Sequence, residues 1–160
     1  MSEGNNAISL LNVNDPQLSA LAERICLPNG TPDRDNANLN LWNRVFTLPT
    51  KSEATYIRVK KRPYVLTRME RHIKSVEVVF ALNKGVIVPL APVGELKEVE
   101  NQIKAFYLPA GQGLIIHEGV WHLAPFPLEE TAEVLVLYAD GTGANDLEFQ
   151  ETITQPYMTL

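Results

Sequence analysis

"GQGLIIHEGVWHLAPF", residues 111–126, sets two short runs around a glycine. "GLIIHE" and "VWHLAPF" are rich in β-branched and aromatic side chains, as strands are. Gly119 between them supplies the backbone freedom that a turn requires. Pro125 and Pro127 interrupt the second run, which suits a barrel rim or a sheet edge better than a central strand. The stretch therefore predicts two strands joined by a turn, with His117 on one and His122 on the other.

The same grammar continues outward. From residue 54 onward, "ATYIRVK", "YVLTRME", "SVEVVFAL", "GVIVPLA", "IKAFYLP" and "AEVLVLYAD" are further β-rich runs separated by turn signals. Evenly spaced strands of this length predict a mainly β fold, an antiparallel sandwich or small barrel, rather than alternating βαβ units. "VGELKEVENQ" reads as a loop with at most one helical turn. Helix is expected only near the N-terminus. There Asp15 caps, Pro16 starts, and Leu18, Leu21, Ala22 and Ile25 recur at helical spacing in a segment ending before Pro28. "PNGTPDRDNANLN" reads as a surface loop. The expected organisation is one domain, with residues 1–50 as a helix and arm packed on a barrel of residues 51–160.

The 160 residues are 45% hydrophobic and 21% charged, a composition that supports a globular core without staples. Cys26 is the single cysteine, so no intramolecular disulfide and no cysteine zinc cluster can form, and a reducing, cytoplasmic setting is expected. The N-terminus lacks the basic start and long apolar run of a secretory signal, and no run of eighteen apolar residues offers a membrane span. A net charge of -5 argues against nucleic acid as a partner. The charge is uneven: seven of the fourteen Lys and Arg residues fall between Arg58 and Lys74, whereas none follows Lys104 and eight acidic residues do. That cationic stretch is either a solvated edge strand or a wall that attracts a small anionic substrate.

Nearly all metal-type ligands lie in two segments, "MERHIKSVEVVFALNKG" (69–85) and residues 111–122, which contain all three histidines. Glu70 and His72, two apart, point to the same face of a strand. Arg71 points to the other, where it either binds substrate or forms an exterior ion pair. Glu77 is at odd spacing from both. A turn around Lys74 and Ser75 returns it to the same cavity on the next strand. A lone histidine in an apolar strand is commonly a satisfied interior group, but spacing and concentration here favour a site.

At these residues the sequence resembles the cupin superfamily, whose fold is an antiparallel jelly-roll barrel. Gly111, five residues, then His117-x-Gly119-x2-His122 follow its second motif, with His117 at a proline position and His122 at the metal-binding histidine. Glu70-x-His72-x4-Glu77 follows H-x-H-x4-E of the first motif, with glutamate at the first ligand position. The resemblance implies a divalent ion such as Mn, Ni, Fe or Zn held by Glu70, His72, Glu77 and His122. Within that superfamily, "RPYVLTRMERHIKSVEVVFAL", "GVIVPLAP" and "IKAFYLPAGQGLIIHEGVWHLAP" look like the ureidoglycolate lyase family, over roughly residues 54–140. Arg71, His72, His117, Val120, Trp121 and His122 match its motifs. Glu77 replaces a typical glutamine, Glu118 a basic or neutral residue, and Leu123 a second histidine.

The resemblance implies an enzyme that splits ureidoglycolate into glyoxylate and urea in purine or allantoin breakdown, working as a homodimer. Such a reaction needs a base, an acid and a group to hold the carboxylate. His117, Glu77 and His72 are the expected catalytic residues, with His117 as proton shuttle. Arg68, Arg71 or Lys84 would bind the carboxylate. Trp121 either lines the pocket or packs in the barrel wall, and Tyr138 and Asp140 sit on strand positions that can face inward. Two alternatives stay open: a metal cupin acting on another small hydroxy, keto or sugar acid, and a non-catalytic cupin that binds a small acid.

Overall fold

The computed structural model describes residues 6–25, 30–36, 40–41, 46–48 and 50–160. Cys26 and Pro28 lie outside them, as does part of the loop expected over 28–40. The strands are β1 (Ala7–Asn12), β2 (Ala22–Ile25), β3 (Arg34–Asp35), β4 (Asn40–Leu41), β5 (Ser52–Lys60), β6 (Arg68–Arg71), β7 (Glu77–Ala81) and β8 (Val86–Ala91). They continue as β9 (Lys104–Leu108), β10 (Gly113–Ile116), β11 (Trp121–His122), β12 (Phe126–Pro127), β13 (Thr131–Ala139), β14 (Glu148–Glu151) and β15 (Tyr157–Thr159). Two single-turn helices, α1 (Leu96–Val99) and α2 (Thr142–Asn145), follow β8 and β13. No described helix is long and apolar enough to cross a membrane.

Two sheets carry the fold. The larger runs β14-β6-β11-β8-β9-β1-β15, with β12 also paired to β8, and the smaller runs β2-β10-β7-β13-β5. Inward residues of both sheets share one core: Val79, Ala81, Leu114, Ile116, Val134 and Val136 from the smaller, Val88, Leu90 and Phe106 from the larger. The outer face of the larger sheet is buried too. Met69, Ile87, Ala105, Trp121 and Phe126 pack there with Leu96 and Val99 of α1. All six β8 residues are buried, Val86, Val88 and Leu90 inward, Ile87 and Ala91 outward. Burying each of the larger aliphatic side chains contributes about 1.5–3 kcal/mol. Pro89 falls between the part of β8 paired with β11 and the part paired with β12, at a gap in the pairing on that side of the strand.

The N-terminal segment departs from expectation. Asp15 does cap, its carboxylate accepting from Gln17 N at 2.9 Å, but the helix is a five-residue 3-10 turn, Pro16–Ala20. Ala22–Ile25 is strand β2, in four-residue antiparallel register with β10. The spacing of Leu18, Leu21 and Ala22 fits one helical face, yet the open edge of β10 needs partners for its peptide groups, and ladder bonds win over local periodicity. β1 is also a full strand, running parallel to both β9 and β15, so the barrel is not wholly antiparallel.

Candidate metal centre

Alternation in β6 sorts its side chains. Met69 joins the outer cluster, while Glu70 pairs in register with His122 of β11 on the inner face. β6 ends at Arg71, and the expected turn follows over residues 72–76. Ser75 fixes it, its Oγ donating to Val76 O at 2.7 Å and accepting from Ala139 N at 2.9 Å. Glu77 then opens β7 in register with inward Ile116. The second expected turn sits directly against the first: Gly119 N donates to His72 O at 2.7 Å. Gly119 has φ +76°, a conformation that favours glycine, and a Cβ there would stand 3.3 Å from both methyls of the exposed Val93.

Together the two turns bring His72, Glu77 and His122 to one buried point, their ligand atoms all within 4.8 Å of one another. His72 Nε2 lies 3.0 Å and His122 Nε2 3.3 Å from the same oxygen, Glu77 Oε2. Each Nδ1 faces a main-chain carbonyl, Asp146 O at 2.6 Å for His72 and Val120 O at 3.0 Å for His122. A carbonyl only accepts, so each Nδ1 carries the proton. Both neutral rings then turn a lone pair at Nε2 toward a carboxylate, and three acceptors meet with no donor between them. Only a cation resolves that arrangement, either a proton taken by a ring or a metal ion. His122 Nε2 is fully buried and makes no hydrogen bond. The 3.0 and 3.3 Å separations of the two Nε2 atoms from Glu77 Oε2 match those of donors about 2.1 Å from one ion, which stand about 3.0–3.4 Å apart at right or tetrahedral angles.

The electrostatics agree. Burial opposes charge on His122, but the nearby negative charge of Glu77, with Val120 O and Glu70, outweighs it and raises its pKa to about 9. Burial likewise opposes charge on Glu77, yet His122 and His72 hold its pKa down at about 2. His72 is raised as well, burial being overcome by Glu77 and Asp146 O.

The ureidoglycolate lyase profile matches residues 34–160. The chain belongs to the ureidoglycolate lyase family. No curated protein matches it in sequence. Among solved structures it is similar to a 3,4-ketoisomerase from Helicobacter canadensis, with TM-score 0.54 and 16% identity over 79% of this chain and 89% of that one. It is also similar to a TDP-quinovose 3,4-ketoisomerase from Campylobacter jejuni, with TM-score 0.53 and 18% identity over 79% and 90%. The fold is thus the expected cupin-type barrel, in a family of enzymes.

Set against the family motifs, the other expected site residues divide. Glu70 stands beside the three ligands without joining them. Its half-buried carboxylate makes no hydrogen bond to a described residue, and its pKa is raised, chiefly by burial. Arg68 is exposed on the same strand face, its guanidinium 4.6 Å over the Phe149 ring. Arg71 faces outward as strand parity requires. It is bound to Glu148 at 2.8 Å and to Gly94 O at 2.8 Å, and lies 4.3 Å over the Trp121 ring. Trp121 is fully buried in the outer cluster, its indole N–H donating to Gly94 O, so it packs the wall and does not line the ligand group. Lys84, on the β7–β8 turn, pairs with Glu129 at 2.6 Å. His117 follows inward Ile116 where the chain leaves β10, and its ring is not among the converging ligands. Asp140 is tied to Lys51.

Tyr138 does face the interior, packing against the core with its ring tilted against His72 at 5.7 Å. Alternation along β13 allowed this but did not require it. Asp146 carried no sequence signal at all, because its link to His72 spans 74 residues.

Proposed function

We propose that the protein is a ureidoglycolate lyase, opening the carbon–nitrogen bond of ureidoglycolate to release glyoxylate and urea, with His72, Glu77 and His122 holding a divalent ion (Mn, Ni, Fe or Zn). The observation that carries this reading is the meeting of the family's two histidine motifs at one buried point with three acceptors and no donor. Bound there, the ion would supply positive charge that holds the substrate's carboxylate or hydroxyl oxygen and makes the hydroxyl more acidic.

The chain's own residues do the remainder. Glu70, unpaired and with its proton affinity raised by burial, receives the hydroxyl proton as the carbon–nitrogen bond opens and returns one to the departing urea nitrogen. Among the described residues no hydrogen bond or ion pair engages Arg68 on the Glu70 face, and it binds the carboxylate, since Arg71 and Lys84 are engaged elsewhere. His117 is the second candidate for proton transfer, and Glu70→Gln and His117→Ala separate the two. The homodimer and the cytoplasmic setting belong to the same proposal.

The test is release of glyoxylate and urea from ureidoglycolate by the purified protein, after chelation and then with Mn, Ni or Zn restored. Metal-dependent release is expected. No release with any ion, from folded protein, would defeat the lyase reading and turn the search to another small hydroxy or keto acid, as Glu77 in place of the family's glutamine suggests.

A further inference from the structure

His72 lies just beyond the last ladder residue of β6, so no strand pairing fixes its ring. One residue does. Asp146 accepts from His72 Nδ1 through its main-chain oxygen at 2.6 Å. Its carboxylate accepts from the next two amides, Ile73 N into Oδ1 at 3.0 Å and Lys74 N into Oδ2 at 2.8 Å. Three consecutive residues of the ligand turn thus bond to a single aspartate, in addition to the Gly119 and Ser75 bonds.

That aspartate is itself held. Gly141, at φ +83°, turns the chain out of β13 into α2, and Asp146 N closes the helix on Thr142 O at 2.8 Å. Thr142 is buried, and Asn145 bonds back to Gly141 O through both its main-chain and side-chain nitrogens. The turn is built off the strand whose Tyr138 lies against the His72 ring.

We infer that Asp146 is a positioning residue of the centre: its carboxylate fixes residues 72–74 so that its carbonyl keeps the proton on His72 Nδ1 and Nε2 faces the ion. The inference rests on the metal reading above. A carbonyl survives any substitution at 146, but the carboxylate ties the Ile73 and Lys74 amides to it; Gly119 N still holds His72 O and Tyr138 still lies against the ring, so its loss loosens the ring on the carbonyl rather than releasing it. Outer-shell partners of this kind change metal affinity by about 10–100-fold.

The test uses the full chain and measures binding of Mn(II), Ni(II) and Zn(II) alone by titration calorimetry, with circular dichroism checking the fold. Asp146→Ala is expected to weaken binding by about 10–100-fold, with Asp146→Asn, which keeps one acceptor, in between. Glu148→Gln, two residues on but acting on outward Arg71, is expected to bind as wild type. In the Zn(II)-loaded wild type, nitrogen NMR is expected to show His72 protonated at Nδ1 and coordinated through Nε2. Wild-type affinity in a folded Asp146→Ala, or zinc on Nδ1, overturns the inference. If Asp146→Ala does not fold, Asp146→Asn and the NMR assignment decide. Failure of the wild type to bind any of the three ions overturns the metal reading and this inference with it, whereas the other negative results overturn this inference alone.

Discussion

Trp121 and His122 are adjacent in the chain, and both are buried, at 0% and 2% exposure. Their situations are opposite. The one polar atom of Trp121 is satisfied by Gly94 O, and its ring is packed among Met69, Ile87 and Phe126 on the outer face. His122 points inward with Nε2 left open toward Glu77. The same contrast holds between Arg71, bonded to Glu148 and Gly94 outside, and His72, whose Nε2 faces Glu77 inside. A buried polar atom that is closed off belongs to the scaffold, and one left facing other acceptors marks the site.

The comparison breaks most visibly at Trp121. Trp121→Ala should cost about 3–5 kcal/mol of stability in urea denaturation, while the folded fraction binds metal normally. Loss of metal affinity with little loss of stability would put the indole in the site after all. On the inner face, His122→Ala should reduce divalent-ion affinity, read by calorimetry, by at least the roughly 100-fold upper range of supporting residues, and abolish turnover. Unchanged affinity would remove His122 from the ligand set.

Proton linkage sharpens the contrast further. Glu77, depressed from 4.5 to about 2, contributes stability that is present above 4.5 and lost as pH falls through 2. His122, raised from 6.5 to about 9, contributes stability that is present below 6.5 and lost as pH rises through 9. The metal-free protein should therefore have the full contribution of both between pH 4.5 and 6.5, and its melting temperature should fall from 6.5 toward 9. Metal affinity should rise over that same upper range, because the ion displaces the proton on His122. A flat profile for both quantities would show that the rings are not coupled to Glu77.

The smallest expected effect separates the two arginines. Arg71→Ala should cost about 1–2 kcal/mol through its lost ion pair and ring contact and leave KM unchanged, whereas Arg68→Gln should raise KM at unchanged stability. The reverse pattern would move the carboxylate clamp to the outer face.

Much of this site was legible from period-two alternation. It put Glu70 and His72 on one face and Arg71 on the other, and it required turns near Lys74 and at Gly119 to return Glu77 and His122 inward. Those rules are local, and the local backbone obeyed them. Where long-range pairing competed, local pattern failed: Leu18, Leu21, Ala22 and Ile25 suit a helix, yet the free edge of β10 drew Ala22–Ile25 into the sheet. His117 had family spacing but sits past the end of β10, outside the ligand group.

Composition and period-two alternation settle which residue types are available, which of them share a strand face, and where the chain can turn, since these follow from backbone geometry over a few residues. Long-range packing alone puts Glu77 Oε2 between two imidazoles, Glu70 beside them with no hydrogen bond to a described residue, and Asp146 against the turn carrying His72. Those relations join residues up to 74 positions apart in the chain, and their geometry is set by how two sheets close on one core.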